Sequence, residues 1–171
     1  MAGLQQFRSV IEAFNEAKVR YVIVGGLASI AHGYVRTTTD VDMVLELVPD
    51  NLQTALGVLA SLGYSPRAPV NAAGFADEQT RRDWVEQKGM VVFTMVSGEL
   101  MYPEVDLFPV YPLPWPRLQQ NAVKATVAGI DAPVCGLDDL IELKQSAGRP
   151  RDLVDLEYLQ ALKEERDAAR G

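Results

Sequence analysis

The stretch Val22-Ile23-Val24-Gly25-Gly26-Leu27-Ala28-Ser29-Ile30-Ala31-His32-Gly33-Tyr34-Val35-Arg36-Thr37-Thr38-Thr39-Asp40-Val41-Asp42 decides the fold. Residues 21–24 are a short apolar run stopped by Gly25-Gly26, which predicts a buried strand followed by a glycine turn. Residues 27–32 fit a short helix that Gly33 ends, and the polar, β-branched residues 34–39 predict a loop. From 40 to 48 the pattern alternates. Val41, Met43, Leu45 and Leu47 are expected on one face, with Asp40, Asp42, Val44 and Glu46 on the other.

Chemistry follows from that layout. Glycines without a Cβ let a phosphate approach the backbone, and the amides that open the next helix attract anions. Asp40 and Asp42, two apart on a strand, place their carboxylates on one face, where like charges repel unless a cation sits between them. Mg²⁺ is the expected cation, with Mn²⁺ as its substitute, because it takes oxygen ligands from one or two carboxylates plus substrate phosphates. Glu104-Val105-Asp106-Leu107 repeats the alternation, so Asp106 is the candidate third carboxylate and Glu104, on the same face, its competitor. A cluster of this kind can hold two metal ions, with Asp106 near the nucleophile and able to accept its proton.

Outward from this core, residues 4–19 carry Leu4, Phe7, Val10, Ile11 and Phe14 at helical spacing. A helix over 49–62 has Pro49 at its start and Gly63 just beyond its end. Residues 64–74 read as irregular, and 77–87 as a polar helix capped by Asp77. Two β-rich runs, 90–96 and 104–110, predict a hairpin-like pair joined through Ser97-Gly98 and Met101-Tyr102-Pro103. Pro109, Pro112, Pro114 and Pro116 mark a loop, residues 122–134 one or two short strands, and 137–147 and 150–166 two helices broken at Gly148-Arg149-Pro150. The run 163–170 is expected to fray. The whole predicts one α/β (α+β) domain over 1–171: a short mixed β-sheet flanked by helices, with a helical C-terminal part over about 137–168.

Composition narrows the class. Hydrophobic residues make up 48% and charged residues 23%, which is globular rather than disordered. The net charge of −7, from 23 acidic and 16 basic side chains, works against free binding to nucleic acid but leaves room for a local basic pocket. A single cysteine, Cys135, forms no internal disulfide, and with one histidine, His32, it cannot complete a structural zinc site. There is no membrane-length apolar run and no secretory pattern at the N-terminus, so a cytoplasmic location is expected. His32 is expected to make a local backbone hydrogen bond, Cys135 to be a small buried hydrophobe, and Trp84 and Trp115 to pack.

Gly25-Gly26, a short helix and then Arg36-x-Thr38-x-Asp40-x-Asp42 resemble the signature of the nucleotidyltransferase superfamily that includes DNA polymerase β. Within it the chain resembles the small AbiEii-type and minimal nucleotidyltransferases of toxin–antitoxin and phage-defence systems. The stretch Lys144-Gln145-Ser146-Ala147-Gly148-Arg149-Pro150-Arg151-Asp152 resembles a second block of those proteins, in which a lysine-bearing helix meets a basic-x-x-Asp turn. The resemblance implies a nucleotidyltransferase that moves a nucleoside monophosphate from an NTP to an RNA, such as tRNA, or to a protein acceptor. It implies Asp40, Asp42 and Asp106 as catalytic metal ligands, and Gly25, Gly26, Arg36, Thr38, Lys144 and Arg149 as the nucleotide-binding set. Asp152 and Asp155 would then orient the basic groups or cap the last helix. The partners it implies include a cognate toxin or antitoxin. The chain departs from the superfamily at Gly26, where many members have Ser, and so lacks a hydroxyl for a phosphate oxygen. Three alternatives stand beside this reading: a transferase acting on a small molecule such as a cationic antibiotic, a catalytically silent antitoxin or binding partner, and an unrelated structural domain.

Overall fold

The computed structural model describes residues 2–99 and 102–171. In chain order the elements are α1 (Ala2–Glu16), β1 (Tyr21–Val24), α2 (Gly25–Ala31), β2 (Asp40–Leu45), α3 (Pro49–Ser61), β3 (Tyr64–Pro66), a 3-10 turn (Ala72–Ala76), α4 (Glu78–Lys88), β4 (Phe93–Ser97), β5 (Glu104–Leu107), α5 (Trp115–Asn121), β6 (Val123–Val127), β7 (Ile130–Val134), α6 (Leu137–Ala147) and α7 (Pro150–Arg170). The strands form one mixed sheet in the order β3-β4-β5-β2-β1-β7-β6. β2 is its pivot, antiparallel to β1 and parallel to β5. β4 runs antiparallel to β5, and β6 antiparallel to β7. Among the described residues no helix is long and apolar enough to cross a membrane.

The core follows from the apolar faces read in the sequence. Phe7, Val10, Ile11 and Phe14 of α1 are fully buried, as are Leu52, Ala55 and Leu59 of α3. Phe93 of β4 lies in a stack between Phe75 and Trp84, with ring centroids 4.8 and 5.3 Å away. Burial of large aromatics of this kind supplies much of the apolar stabilisation of a domain. α4 is capped as its sequence predicts: the Asp77 side chain accepts from the Thr80 amide at 2.7 Å, and Gly89 ends the helix in the left-handed region.

Several expectations need correction. The Gly25-Gly26 pair does not form a separate turn but opens α2 directly from the end of β1. Val44, which alternation places on the carboxylate face, is fully buried, so that face is covered by the time β2 reaches it. β2 ends at Leu45 rather than continuing to 48. Tyr64–Pro66, read as irregular, is an edge strand on β4, a position that tolerates Pro66. The proline-rich loop contains α5, whose Pro116 lies in the first turn, where a missing amide breaks no helical bond. α7 runs to Arg170 without stopping at 166. The paired strands β4 and β5 are as expected, but Met101 of their predicted connection lies outside the described residues.

Candidate active site

The register of the two central strands builds the site. Asp40 pairs with Glu104 and Asp42 with Asp106 across parallel β2 and β5, so all four acidic side chains lie on one face of the sheet. Their neighbours then separate them. Glu104 is exposed enough to pair with Arg67. Asp106 instead accepts from Thr94 Oγ1 of β4 at 2.6 Å. Thr39 donates its hydroxyl to Asp40.

Electrostatics mark Asp42 as the centre of the cluster. Burial, with the Asp106 and Asp40 charges adding to it, pushes its carboxyl up to about 6, while Arg149 and Lys144 pull it back. Burial also raises the Asp106 carboxyl; the Thr94 hydrogen bond opposes this and the Asp40 charge adds to it. Gly25 explains how Asp42 fits so close to α2. Gly25 has φ +68°, and a Cβ there would stand 2.7 Å from the Asp42 Cγ and overlap its carboxylate. A Cβ on Gly26 would stand 2.9 Å from Thr38 Oγ1. The space a serine would occupy at position 26 is therefore already filled by the Thr38 side chain, which itself donates to the Asp40 carbonyl at 3.2 Å.

The basic residues form an anchored group next to the carboxylates. Lys144, buried in α6, contacts Asp155 at 2.6 Å and Asp152 at 3.2 Å. Asp155 also pairs with Arg36 of the loop before β2. At the start of α7 the Asp152 carboxylate accepts from the Arg149 backbone amide at 3.3 Å and from Arg149 Nε at 2.7 Å. The Asp42 and Asp106 charges help to raise the Arg149 guanidinium, behind its bond to Asp152 and the Asp152 charge. Asp152 thus holds Arg149 and Lys144 and accepts from the N-cap amide of the last helix, while Asp155 holds Lys144 and Arg36. Lys144 is fully engaged by protein carboxylates, and the half-exposed Arg149 is the cation nearest in character to a ligand-facing group.

His32 makes its backbone contact at long range, not locally. Its Nε2 lies 2.8 Å from the Cys135 carbonyl, and its Nδ1 faces Arg166 of α7. Cys135 is buried and its thiol is pushed up to about 12. Thr94 and Arg67, which sort Asp106 from Glu104, were not singled out by the sequence. Thr94 sits at an alternating position in a β-rich run, but only the pairing of β4 with β5 reveals which carboxylate it reaches.

By donor chemistry, three carboxylates on one face, two of them, Asp42 and Asp106, resisting ionisation, fit a hard divalent cation. As they stand, no three His, Cys, Asp or Glu side chains among the described residues are gathered closely enough to hold one.

A mixed sheet whose central strands carry these carboxylates, flanked by helices and opened by a Gly-Gly helix start, is the nucleotidyltransferase fold. The lincomycin-bound lincosamide antibiotic adenylyltransferase LnuA matches at TM-score 0.62 and 13% identity, over 92% of this chain and 96% of that one. ANT(2'')-Ia in complex with adenylyl-2''-tobramycin matches at TM-score 0.60 and 13% identity over the full length of both chains. The solution structure of the same antibiotic-resistance factor matches at 0.56 and 16% identity, over 97% of this chain and 93% of that one. No family model matches the chain. No characterised protein matches it by sequence.

Proposed function

We propose that the protein is a metal-dependent nucleotidyltransferase that moves a nucleoside monophosphate from an NTP onto a hydroxyl of a small acceptor molecule. The observation that carries this reading is the Asp42–Asp106 pairing on adjacent parallel strands beside the Gly25-Gly26 helix start. Asp40, Asp42 and Asp106 would hold Mg²⁺ or Mn²⁺, which supplies positive charge to the phosphate oxygens and lowers the pKa of the acceptor hydroxyl. The Gly25-Gly26 backbone receives the triphosphate, with the Thr38 hydroxyl in the place that a serine side chain at position 26 would take. Arg149 offers a planar fork to the phosphates. Arg36 and Lys144 hold the loop and helix in place through Asp155. Asp106, whose carboxyl is raised, accepts the acceptor's proton as the new O–P bond forms and the bond to pyrophosphate breaks.

A small acceptor is favoured over RNA by charge. The basic residues around the carboxylates are tied to Asp152 and Asp155, and the chain carries a net −7, which suits a cationic acceptor better than a polyanion. The full-length likeness to LnuA and ANT(2'')-Ia agrees with a small acceptor. An RNA or protein acceptor, with a cognate toxin or antitoxin in the cytoplasm, follows from the AbiEii-type resemblance and is separable by experiment. Purified protein is incubated with each labelled NTP, Mg²⁺ and, in separate reactions, lincomycin, tobramycin, total RNA and lysate protein, beside an Asp106→Asn control. Label on a small molecule by the wild type alone supports the proposal. Label on RNA or protein moves the acceptor to the toxin–antitoxin class. No transfer, with no metal-dependent NTP binding, leaves the silent binding partner.

A further inference from the structure

Arg81 of α4 is the one arginine among the buried polar residues of the described chain, at 4% exposure. Its Nε donates to the Pro109 carbonyl at 3.1 Å and its Nη1 to the Phe75 carbonyl at 2.7 Å, with the guanidinium 5.9 Å from the Phe75 ring centroid. Among the described residues no carboxylate lies within ion-pair distance of it, in contrast to buried Lys144, which has two. A buried cation without a counter-ion is costly, and burial does disfavour its charged form here, with Glu78 and Asp77 opposing that. The remaining nitrogen, Nη2, has no protein partner. The one sealed, unpartnered side-chain polar atom among the described residues is Trp115 Nε1, so Arg81 Nη2 keeps an opening to solvent.

Arg81 lines a pocket of about 330 Å³ together with Arg82, Glu78, Tyr111, Pro109 and Leu47. Tyr111 Oη accepts from the Leu47 amide at 2.7 Å, which leaves its own proton free to donate. The Glu78 charge at the rim is offset by Arg82 at 2.6 Å. The walls follow the C-terminal ends of β2 and β5, five residues past Asp42 and roughly 16 Å from it along the strand direction.

We propose that this pocket binds a small oxyanion, the carboxylate or phosphate group of a metabolite, through Arg81 Nη2, the Tyr111 hydroxyl and Arg82. The site is separate from the carboxylate face and does not depend on the reading of that face.

Inorganic phosphate and citrate, titrated separately into the full chain at fixed ionic strength, are the probes, followed by backbone amide shifts. The expected result is saturable shifts confined to α4 and residues 109–111 at millimolar anion, and the tighter of the two probes identifies the preferred group. Tyr111→Phe and Arg82→Ala each weaken binding by about tenfold. Arg81→Gln abolishes saturation; should it fail to fold, the other two variants carry the test. Shifts that fail to saturate by about 50 mM, or midpoints unchanged in both variants, overturn the proposal.

Discussion

Asp42 and Asp106 face each other across adjacent parallel strands, and the Asp106 charge, behind burial itself, helps to push the Asp42 carboxyl up to about 6. An acid whose pKa is higher folded than unfolded keeps its proton longer in the native state. In the metal-free protein the contribution of Asp42 to stability therefore falls as pH rises from about 4 to about 6 and is flat above that. The shift from 3.8 corresponds to about 3 kcal/mol at neutral pH. Asp42→Asn should raise the unfolding free energy at pH 7.5 by an amount approaching this, with no gain at pH 4, while eliminating nucleotidyl transfer. Urea melts of both proteins across that range check it.

The Gly26 position carries a steric prediction. Gly26→Ser should lower stability and transfer, because its Cβ would stand 2.9 Å from Thr38 Oγ1. Gly26→Ser combined with Thr38→Ala should recover both, since one hydroxyl then replaces the other. Gly25→Ala should find no such rescue: its Cβ overlaps Asp42 and its φ of +68° is strained for any other residue, at a cost of about 1–3 kcal/mol. Denaturation and turnover of these variants test the pair.

Asp155 bridges buried Lys144 and Arg36, so Asp155→Leu leaves the Lys144 charge with Asp152 alone. The expected loss is about 1–3 kcal/mol, less than for a fully unpaired buried charge because Asp152 still faces Lys144, and adding Lys144→Met should restore much of it. Chemical denaturation of the single and double variants reads this directly.

His32 should give the opposite pH signature to Asp42. Burial, with Arg166 adding to it, holds its ring below the usual histidine value, against the Cys135 carbonyl bond. Its contribution is thus complete above the unfolded value of about 6.5 and is lost as pH falls below it. The melting-temperature gap between wild type and His32→Gln should narrow from pH 7.5 to pH 5. A constant gap would show that the ring does not titrate with unfolding.

The sequence displayed the central layout because its signals are local. The apolar run at β1 and the alternation of β2 and β5 each depend on residues a few positions apart. What escaped depends on distant partners. β3 exists because Tyr64–Pro66 finds an edge on β4, and its own three residues carry too little pattern to announce that. Glu104 and Asp106 have the same alternation and could be separated only by Arg67 and Thr94, which arrive from elsewhere in the chain. Val44 shares the face of Asp40 and Asp42 by alternation yet is buried, because alternation predicts which way a side chain points and not what covers it.

The ion-pair link from Arg36 through Asp155 to Lys144 also sets an order of assembly. The loop that delivers Asp40 and Asp42 is tied down by a residue more than a hundred positions later in the chain. A nascent chain that has not yet reached Asp155 lacks the carboxylate that joins this loop to Lys144. The tie therefore forms only when the start of α7 has been released from the ribosome and docked. Termination ahead of Asp155 would leave every candidate metal ligand in the product and still remove the residue that ties their loop to Lys144.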